Sequence, residues 1–139
     1  MVAGFLKIVI FTAMVYKNIL LIDDDAEDQE IFHTAARQAS DEVVVQSFSN
    51  AKEAFAKLNN GELNPDVIFL DLNMPIMSGQ EFLFAIKRTE RIKEIPVIIF
   101  STSSNESTIR HTKELGAAHY ITKPNNFTAL VDILKPLIN

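Results

Sequence analysis

The stretch VIFLDLNMP, residues 67–75, decides the interpretation of this sequence, because a run of apolar residues ends directly on a carboxylate. Four apolar residues precede Asp71, and Pro75, a residue typical of turns, follows shortly after it. Continuous apolar runs of this kind are typical of strands that are covered on both faces. Burying a carboxylate at the end of such a strand is costly unless other groups compensate its charge. The rest of the chain should therefore supply those groups.

The composition narrows the class of protein. The chain has 139 residues, 47% of them hydrophobic and 22% charged, which fits one domain with a sizeable core. Its formal net charge of -5 disfavours a surface that binds nucleic acid. The chain contains no cysteine, which excludes disulfides, thiol chemistry and thiolate metal sites.

Five short apolar runs alternate with segments of helical spacing along the chain. The runs cover residues 18–22, 43–48, 66–70, 97–100 and 119–122. Apolar residues recur at helical spacing after each run, as over residues 27–39 and from Phe127 to Leu134. Five strand–helix repeats predict an α/β fold with a parallel sheet and right-handed crossovers.

Acidic, hydroxyl or basic side chains follow four of the five predicted strands. They are Asp23, Asp24 and Asp25 after the first strand, Asp71 after the third, Ser101 and Thr102 after the fourth, and Lys123 after the fifth. Because the carboxyl ends of parallel strands lie along one edge of the sheet, we expect these groups to lie close together. A single acid at a strand end is usually a solvated turn residue, so the agreement of four strand ends is what indicates a site.

This set of groups predicts phosphoryl transfer to a carboxylate. Neighbouring carboxylates repel each other, and a divalent cation removes the conflict. Oxygen ligands favour a hard ion such as Mg²⁺, which keeps waters that a phosphoryl oxygen can replace. Together with the metal, Lys123 and Ser101 fit the equatorial oxygens of a transferring phosphoryl group. Asp71 is then the nucleophile that forms an aspartyl phosphate.

Four motifs of the chain resemble those of one family. The motifs are LLIDDD (20–25), FLDLNMPIMSG (69–79), IIFSTSS (98–104) and GAAHYITKP (116–124). Together they are similar to the receiver domain of two-component response regulators, in its stand-alone, chemotaxis-regulator-like form. The resemblance runs from about Lys17 to the C-terminus. It implies a doubly wound, flavodoxin-like (βα)₅ sheet with strand order 2-1-3-4-5.

The resemblance also implies a role for each residue of the site. The implied set is Asp71 as phosphoacceptor; Asp23, Asp24, Asp71 and the backbone carbonyl of Asn73 as Mg²⁺ ligands; Ser101 and Lys123 as phosphoryl-stabilising groups; and Ser101 and Tyr120 as the switch. Ser101 replaces the commoner threonine, which keeps the hydroxyl and loses a methyl group. We interpret Asp25, the third acid in succession, as charge on the rim of the site.

A signalling role, rather than an enzymatic one, follows from the resemblance. A sensor histidine kinase or phosphotransfer protein would donate the phosphoryl group, and a downstream protein target would respond. The only catalysis would be the chain's own aspartyl phosphorylation and dephosphorylation. The fourth helix, fifth strand and fifth helix, roughly residues 105–137, would form the readout surface. We expect a cytoplasmic phosphorelay protein that binds neither nucleic acid nor membrane.

An apolar extension at residues 1–16 precedes the predicted receiver domain at residues 17–139. The stretch VAGFLKIVIFTAMVY has Lys7 as its only charge, but it is short for a membrane span, which needs about 20 residues. Met14 would be the natural start, which makes residues 1–13 an upstream extension. We expect this apolar segment to drive self-association without affecting the phosphorylation site.

Three alternative classes compete with this interpretation. A phosphatase of the haloacid-dehalogenase type also uses an aspartyl nucleophile and Mg²⁺, but its signature D-x-D-x-[TV] meets Glu27 at the last position. A nucleotide-binding Rossmann domain would need a G-x-G-x-x-G motif after the first strand, which is missing. A pseudo-receiver that only binds a partner is disfavoured by the complete set of acids, hydroxyl and lysine.

Local features give three further expectations. Pro136 lacks a backbone N–H and crowds the preceding turn, so the fifth helix should kink or end near Lys135. The three histidines are interpreted as surface residues without chemistry. Phe84 should lie on the outer face of the third helix, where it marks a possible contact with another protein.

Overall fold

The computed structural model describes residues 15–138, which form a parallel sheet of five strands flanked by five helices. The strands are β1 (Asn18–Ile22), β2 (Val44–Phe48), β3 (Val67–Leu70), β4 (Val97–Ser101) and β5 (His119–Thr122). The helices are α1 (Ala26–Ala39), α2 (Ala51–Asn59), α3 (Gly79–Lys87), α4 (Glu106–Glu114) and α5 (Phe127–Ile138). The strand order β2-β1-β3-β4-β5 confirms the predicted flavodoxin-like fold.

Strand boundaries differ from the prediction by one residue at three places. The strands β2 and β3 each begin one residue later than predicted, and β4 extends to Ser101. Asp66, the residue before β3, accepts hydrogen bonds from the backbone amides of Lys17 at 3.0 Å and Asn18 at 2.8 Å. This carboxylate therefore forms a side-chain contact between the starts of β1 and β3, and the apolar pattern gave no sign of it.

The sheet divides the core into two layers. Leu20 and Ile22 of β1 pack with α2 and α3 on one face, whereas Ile19 and Leu21 pack with α1 and α5 on the other. This alternation is the two-residue period of a strand. The strands β1, β3 and β4 are buried along almost their whole length, and each buried Leu or Ile side chain stabilises the fold by roughly 1.5–3 kcal/mol. The carboxyl ends of these three strands are therefore held firmly in place.

Side-chain caps determine where the first four helices begin. Asp25 accepts hydrogen bonds from the amides of Glu27 at 2.9 Å and Asp28 at 3.1 Å, so it caps α1. Asp25 is exposed, as a charge on the rim of the site would be, and its role as a helix cap is additional. The corresponding caps of α2, α3 and α4 are Asn50, Ser78 and Asn105. Because each helix follows the end of a strand, these capped N-termini lie near the carboxyl edge of the sheet.

The last helix continues past its proline. Helix α5 reaches Ile138 with Pro136 inside its last turn, so the expected end near Lys135 is wrong, whereas the alternative of a kink there stays a prediction. Ile138 is buried in the core, and the carbonyl of Leu137 accepts a hydrogen bond of 2.9 Å from the amide of Tyr16. Pro136 lacks one backbone N–H and so removes one helical hydrogen bond. The burial of Ile138 and the bond from Tyr16 offset that loss.

His33 and Phe84 were both expected at the surface, and the structure agrees only for Phe84. His33 was expected at the surface, but it is half-buried and its Nε2 lies 3.0 Å from Oγ of Ser47, which links α1 to β2. Burial and the nearby Arg37 lower the pKa of His33. Phe84 is 50% exposed, as expected, and its ring centre lies 5.0 Å from the guanidinium carbon of Arg88.

Within residues 15–138, no helix is both long enough and apolar enough to cross a membrane. Residues 1–14, which make up most of the predicted extension, lie outside the described part of the chain. The predicted self-association through that extension therefore stays a prediction.

The turn that follows β3 is tight and partly strained. A hydrogen bond of 2.8 Å joins the residues on either side of Ile76, and Ile76 itself has a φ of 70°. Such a left-handed conformation costs roughly 1–2 kcal/mol in a residue other than glycine. The chain then returns, and the amide of Gly79 donates to the carbonyl of Leu72 at 3.0 Å. A Cβ on Gly79 would collide with the carbonyl oxygen of Asp71 and lie 2.6 Å from Cα of Leu72, so the return requires glycine.

The substitution Gly79→Ala should destabilise the protein by about 1–3 kcal/mol, because the backbone at residues 71–72 must move to admit the methyl group. Urea denaturation measures this difference. Gln80→Ala, in the same helical turn, is the matched control and should change the free energy of unfolding by less than about 0.5 kcal/mol. Equal stability of Gly79→Ala and wild type would show that the close approach is not required.

Candidate functional site

Asp71 lies directly after β3, at the carboxyl edge of the sheet. Its backbone amide donates to the carbonyl of Ile22 at 2.9 Å, which extends the pairing of β3 with β1 by one residue. The residue is only 6% exposed. The strand pairing therefore places Asp71 beside the acids that follow β1, as the sequence predicted.

Two acids after β1 complete a cluster of three carboxylates. Asp23 is buried, and its Oδ1 accepts a hydrogen bond of 2.9 Å from the amide of Asp25, whereas Asp24 is exposed. Carboxylate oxygens of Asp23, Asp24 and Asp71 all lie within 4.8 Å of one another. Two oxygens on one Mg²⁺ lie at most about 4.2 Å apart, since each is about 2.1 Å from the ion. A small inward movement would therefore let the three carboxylates share a divalent cation, and the all-oxygen donor set suits Mg²⁺.

Lys123 is the cation that accompanies these acids. Its Nζ lies 2.8 Å from Oδ2 of Asp23, 2.9 Å from Oδ2 of Asp28 and 3.9 Å from Oδ1 of Asp71. Burial opposes the charged form of Lys123, but the hydrogen bonds to Asp23 and Asp28, together with the charges of Asp23 and Asp71, outweigh it and raise the pKa of the ammonium. Lys123 is therefore a fixed positive charge that partly neutralises the cluster.

The environment of Asp71 weakens its acidity. Burial is the largest cause, and it raises the pKa of Asp71 from 3.8 to about 6. The positive charge of Lys123 and a hydrogen bond from the backbone amide of Asn73 act in the opposite direction, whereas the charges of Asp23 and Asp24 add to the rise. A divalent cation among these acids would favour the ionised carboxylate.

Ser101 and Tyr120 both contact the segment that leads into α4. Ser101 is completely buried at the end of β4, and its Oγ accepts a hydrogen bond of 3.3 Å from the amide of Ser103. The hydroxyl of Tyr120 donates to the carbonyl of the same residue, Ser103, at 2.7 Å. Between β4 and β5, the backbone carbonyl of Ser101 also accepts from the amide of Lys123 at 2.7 Å. The two predicted switch residues therefore both contact the backbone of Ser103, one at its amide and the other at its carbonyl.

Sequence reasoning missed two residues of α1 that belong to the site. Asp28 contacts Lys123, and the side-chain amide of Gln29 donates to the backbone carbonyl of Asp23 at 2.5 Å. A signal for Asp28 was present, because it lies three residues after the cap Asp25 in the first turn of a helix whose N-terminus faces the carboxyl edge. Recognising that signal required knowing that α1 begins at residue 26.

A family model described as the response regulator receiver domain matches residues 19–135. This chain belongs to that family. Membership sets aside the dehalogenase-type phosphatase and the Rossmann domain, the two alternatives from other fold families. The match covers every strand and helix except the first residue of β1 and the last residues of α5.

Curated proteins that contain a receiver sequence include both short and long relatives. The response regulator Rcp1 of Synechocystis sp. is 31% identical over 86% of this chain and 84% of that protein. The phosphate regulon transcriptional regulatory protein PhoB of Pseudomonas aeruginosa is 34% identical over 90% of this chain and 53% of its own length. A protein-glutamate methylesterase/protein-glutamine glutaminase of Methanococcoides burtonii is 34% identical over 86% of this chain and 33% of its own length. The chain thus spans about a third to a half of several curated relatives.

Solved structures of response regulators share the receiver fold of this chain. The phosphorylated cyanobacterial phytochrome response regulator RcpA is 35% identical, with a TM-score of 0.78 over 87% of this chain and 90% of that one. The Mn²⁺-bound form of response regulator Rcp1 is 29% identical, with a TM-score of 0.76 over 86% of this chain and 89% of that one. The chain is thus similar over most of its length to response regulators of known structure.

The raised pKa of Asp71 predicts that Asp71→Asn changes the stability of this receiver domain in a pH-dependent way. Folded Asp71 holds its proton up to pH about 6 and unfolded Asp71 only up to 3.8, so its ionisation destabilises the fold as the pH rises between these values. The destabilisation is on the order of 1–3 kcal/mol and is complete above the folded pKa. Without added metal, Asp71→Asn should be more stable than wild type at about pH 7.5 and nearly equal at about pH 4.

Urea denaturation at both pH values measures the difference. Asp41→Asn is the control, because Asp41 is an exposed acid at the opposite edge of the sheet. A stability difference between Asp71→Asn and wild type that stays the same at both pH values would contradict the raised pKa.

Proposed function

We propose that this receiver domain accepts a phosphoryl group on Asp71 in a Mg²⁺-dependent reaction. One arrangement carries the proposal, namely three carboxylates within 4.8 Å of one another, with the ammonium of Lys123 3.9 Å from Asp71. Family membership supports it independently. Two similar solved structures, one of a phosphorylated response regulator and one of a Mn²⁺-bound response regulator, are consistent with it.

Asp71 would act as the nucleophile of the transfer. One carboxylate oxygen attacks the phosphorus of the donor and an O–P bond forms. If the donor is a phosphohistidine, its P–N bond breaks and the electron pair returns to the imidazole nitrogen. The attacking carboxylate must be ionised, and a pKa of about 6 leaves most of the Asp71 population ionised at neutral pH.

Three kinds of group would balance the charge of the phosphoryl oxygens. The residues proposed to hold Mg²⁺ are Asp23, Asp24, Asp71 and the backbone carbonyl of Asn73. When bound there, Mg²⁺ supplies positive charge beside the phosphoryl oxygens. Lys123 supplies a second positive charge that is already near Asp71. Ser101 supplies a hydroxyl, which carries a proton that it can donate to a phosphoryl oxygen once it turns toward Asp71.

Ser101 and Tyr120 are proposed to transmit phosphorylation to the surface formed by α4, β5 and α5, residues 105–137. If the hydroxyl of Ser101 turns toward a phosphoryl group on Asp71, its bond to the amide of Ser103 is lost. Ser103 is also the acceptor for the hydroxyl of Tyr120, so movement of Ser103 changes the position of that ring. Phosphorylation would then shift the population between two packings of one fold.

The proposed donor is a sensor histidine kinase or a phosphotransfer protein, and the proposed recipient of the signal is a downstream protein target. The sensor histidine kinase CheAY of Helicobacter pylori is 27% identical over 84% of this chain, which corresponds to 14% of that protein. A receiver sequence therefore occurs within a protein named as a kinase of the proposed class. We propose that the chain catalyses only its own phosphorylation and dephosphorylation. We also propose a cytoplasmic location, and a receiver domain at residues 17–139 that follows the extension.

Incubation with acetyl phosphate and Mg²⁺ should add one phosphoryl group to the wild-type chain, because the small donor needs no kinase. Removal of Mg²⁺ by a chelator should abolish the addition. Intact mass spectrometry measures both results. A chain that gains no phosphoryl group under these conditions would contradict the proposed function.

Three variants locate the reaction within the chain. Asp71→Asn keeps the shape of the acceptor and should not be labelled, whereas Asp41→Asn, remote from the site, should be labelled like wild type. Asp24→Asn should raise the Mg²⁺ concentration needed for labelling. Full labelling of Asp71→Asn would show that another residue is the acceptor.

A further inference from the structure

We infer that Asp28 is a positioning residue that restrains Lys123 and thereby slows phosphoryl uptake at Asp71. The inference rests on the proposed function and adds a means by which this chain sets its own phosphorylation rate. It concerns a contact at the edge of the site, between the first turn of α1 and the residue that follows β5.

The hydrogen bonds of Lys123 go to acids other than the phosphoacceptor. A lysine ammonium has three N–H donors, and two of them are occupied by Asp23 at 2.8 Å and Asp28 at 2.9 Å. The distance of 3.9 Å to Asp71 is too long for a hydrogen bond. Any movement of the ammonium toward Asp71 and the oxygens of a phosphoryl group there is opposed by these two contacts, which are already at hydrogen-bond distance.

Asp28 is the partner that would still contact Lys123 when a cation is bound at the site. Asp23 is one of the proposed Mg²⁺ ligands, so a bound cation weakens its attraction for Lys123. Asp28 lies in the rim of the site, with its side chain 35% exposed, compared with 1% for Asp23. The cap Asp25 fixes its position, because the amide of Asp28 donates to Oδ1 of Asp25 at 3.1 Å. Asp28 therefore has a fixed position in the first turn of α1, and it contacts the ammonium of Lys123 from the rim of the site.

The neighbouring residue Glu27 offers a matched control for the charge of Asp28. Both residues carry a carboxylate in the first turn of α1. Glu27 is exposed and lines the surface groove beside Ile31 and Thr34, whereas Asp28 contacts Lys123. Glu27→Gln therefore removes the same charge from the same turn and leaves the contact with Lys123 in place.

The experiment compares the initial rate of labelling by acetyl phosphate, at saturating Mg²⁺, in wild type, Asp28→Asn, Asp28→Glu and Glu27→Gln. Asp28→Asn should raise the maximal rate by roughly 1.5-fold to fivefold, the range expected when a partly exposed ion pair is lost. Asp28→Glu, which keeps the carboxylate, should return the rate toward that of wild type. Glu27→Gln should lower only the concentration of donor needed for half-maximal rate, because it relieves repulsion of an anion without releasing Lys123.

Each other outcome overturns a definite part of the argument. If Asp28→Asn and Glu27→Gln have the same effect, the contact with Lys123 is irrelevant; if Asp28→Asn is slower than wild type, Asp28 orients the lysine productively and does not restrain it. Normal labelling of wild type with an unchanged rate in Asp28→Asn contradicts this inference alone. No labelling of wild type contradicts the proposed function and this inference with it. Asp28→Gln, a neutral residue that suits the third position of a helix, must reproduce Asp28→Asn, which excludes an effect of misfolding.

Discussion

The burial of two carboxylates at the ends of adjacent strands is the constraint on which the site depends. Asp23 follows β1 and Asp71 follows β3, and the pairing of these strands brings both acids to the same edge of the sheet. Neither acid is stable there without compensation, and Lys123 provides it from 100 residues further along the chain than Asp23. The contact exists only when β1, β3, β4 and β5 are all in place, so the geometry of the site depends on the completed sheet.

That constraint also relates stability to chemistry. The burial that raises the pKa of Asp71 destabilises the domain at neutral pH, and acids with raised pKa values are typical of functional sites. The tight turn after β3 contributes in the same way. Its strained Ile76 and the close approach of Gly79 to Leu72 hold the backbone of Asp71 in place. The strained turn thus lowers the stability of the fold at the place where it fixes the position of Asp71.

Much of this arrangement could be predicted from the sequence, because the signals were regular. The strands appear in the sequence as short apolar runs, and five such runs alternating with helical spacing determine the fold class. The polar residues after four of the five runs then identify the members of the site, and the structure brings Asp23, Asp24, Asp71 and Lys123 together. Their roles in phosphorylation, and those of the remaining predicted site residues, stay predictions.

Other features could not be predicted, because they depend on contacts that become definite only in the folded chain. The cap formed by Asp25 and the contact of Asp28 require the first residue of α1 to be known. The continuation of α5 through Pro136 depends on the burial of Ile138 and on the bond between the amide of Tyr16 and the last helical turn. Periodicity reports which face of an element is apolar, but not which tertiary contact extends or ends it.

The most direct test of the central claim is to identify the residue that carries the phosphoryl group. After incubation with acetyl phosphate and Mg²⁺, reduction with borohydride converts an aspartyl phosphate to homoserine, and peptide sequencing by mass spectrometry locates it. The proposed chemistry predicts homoserine at position 71 and at no other aspartate. Homoserine at position 23, 24 or 25, with unmodified Asp71, would contradict it.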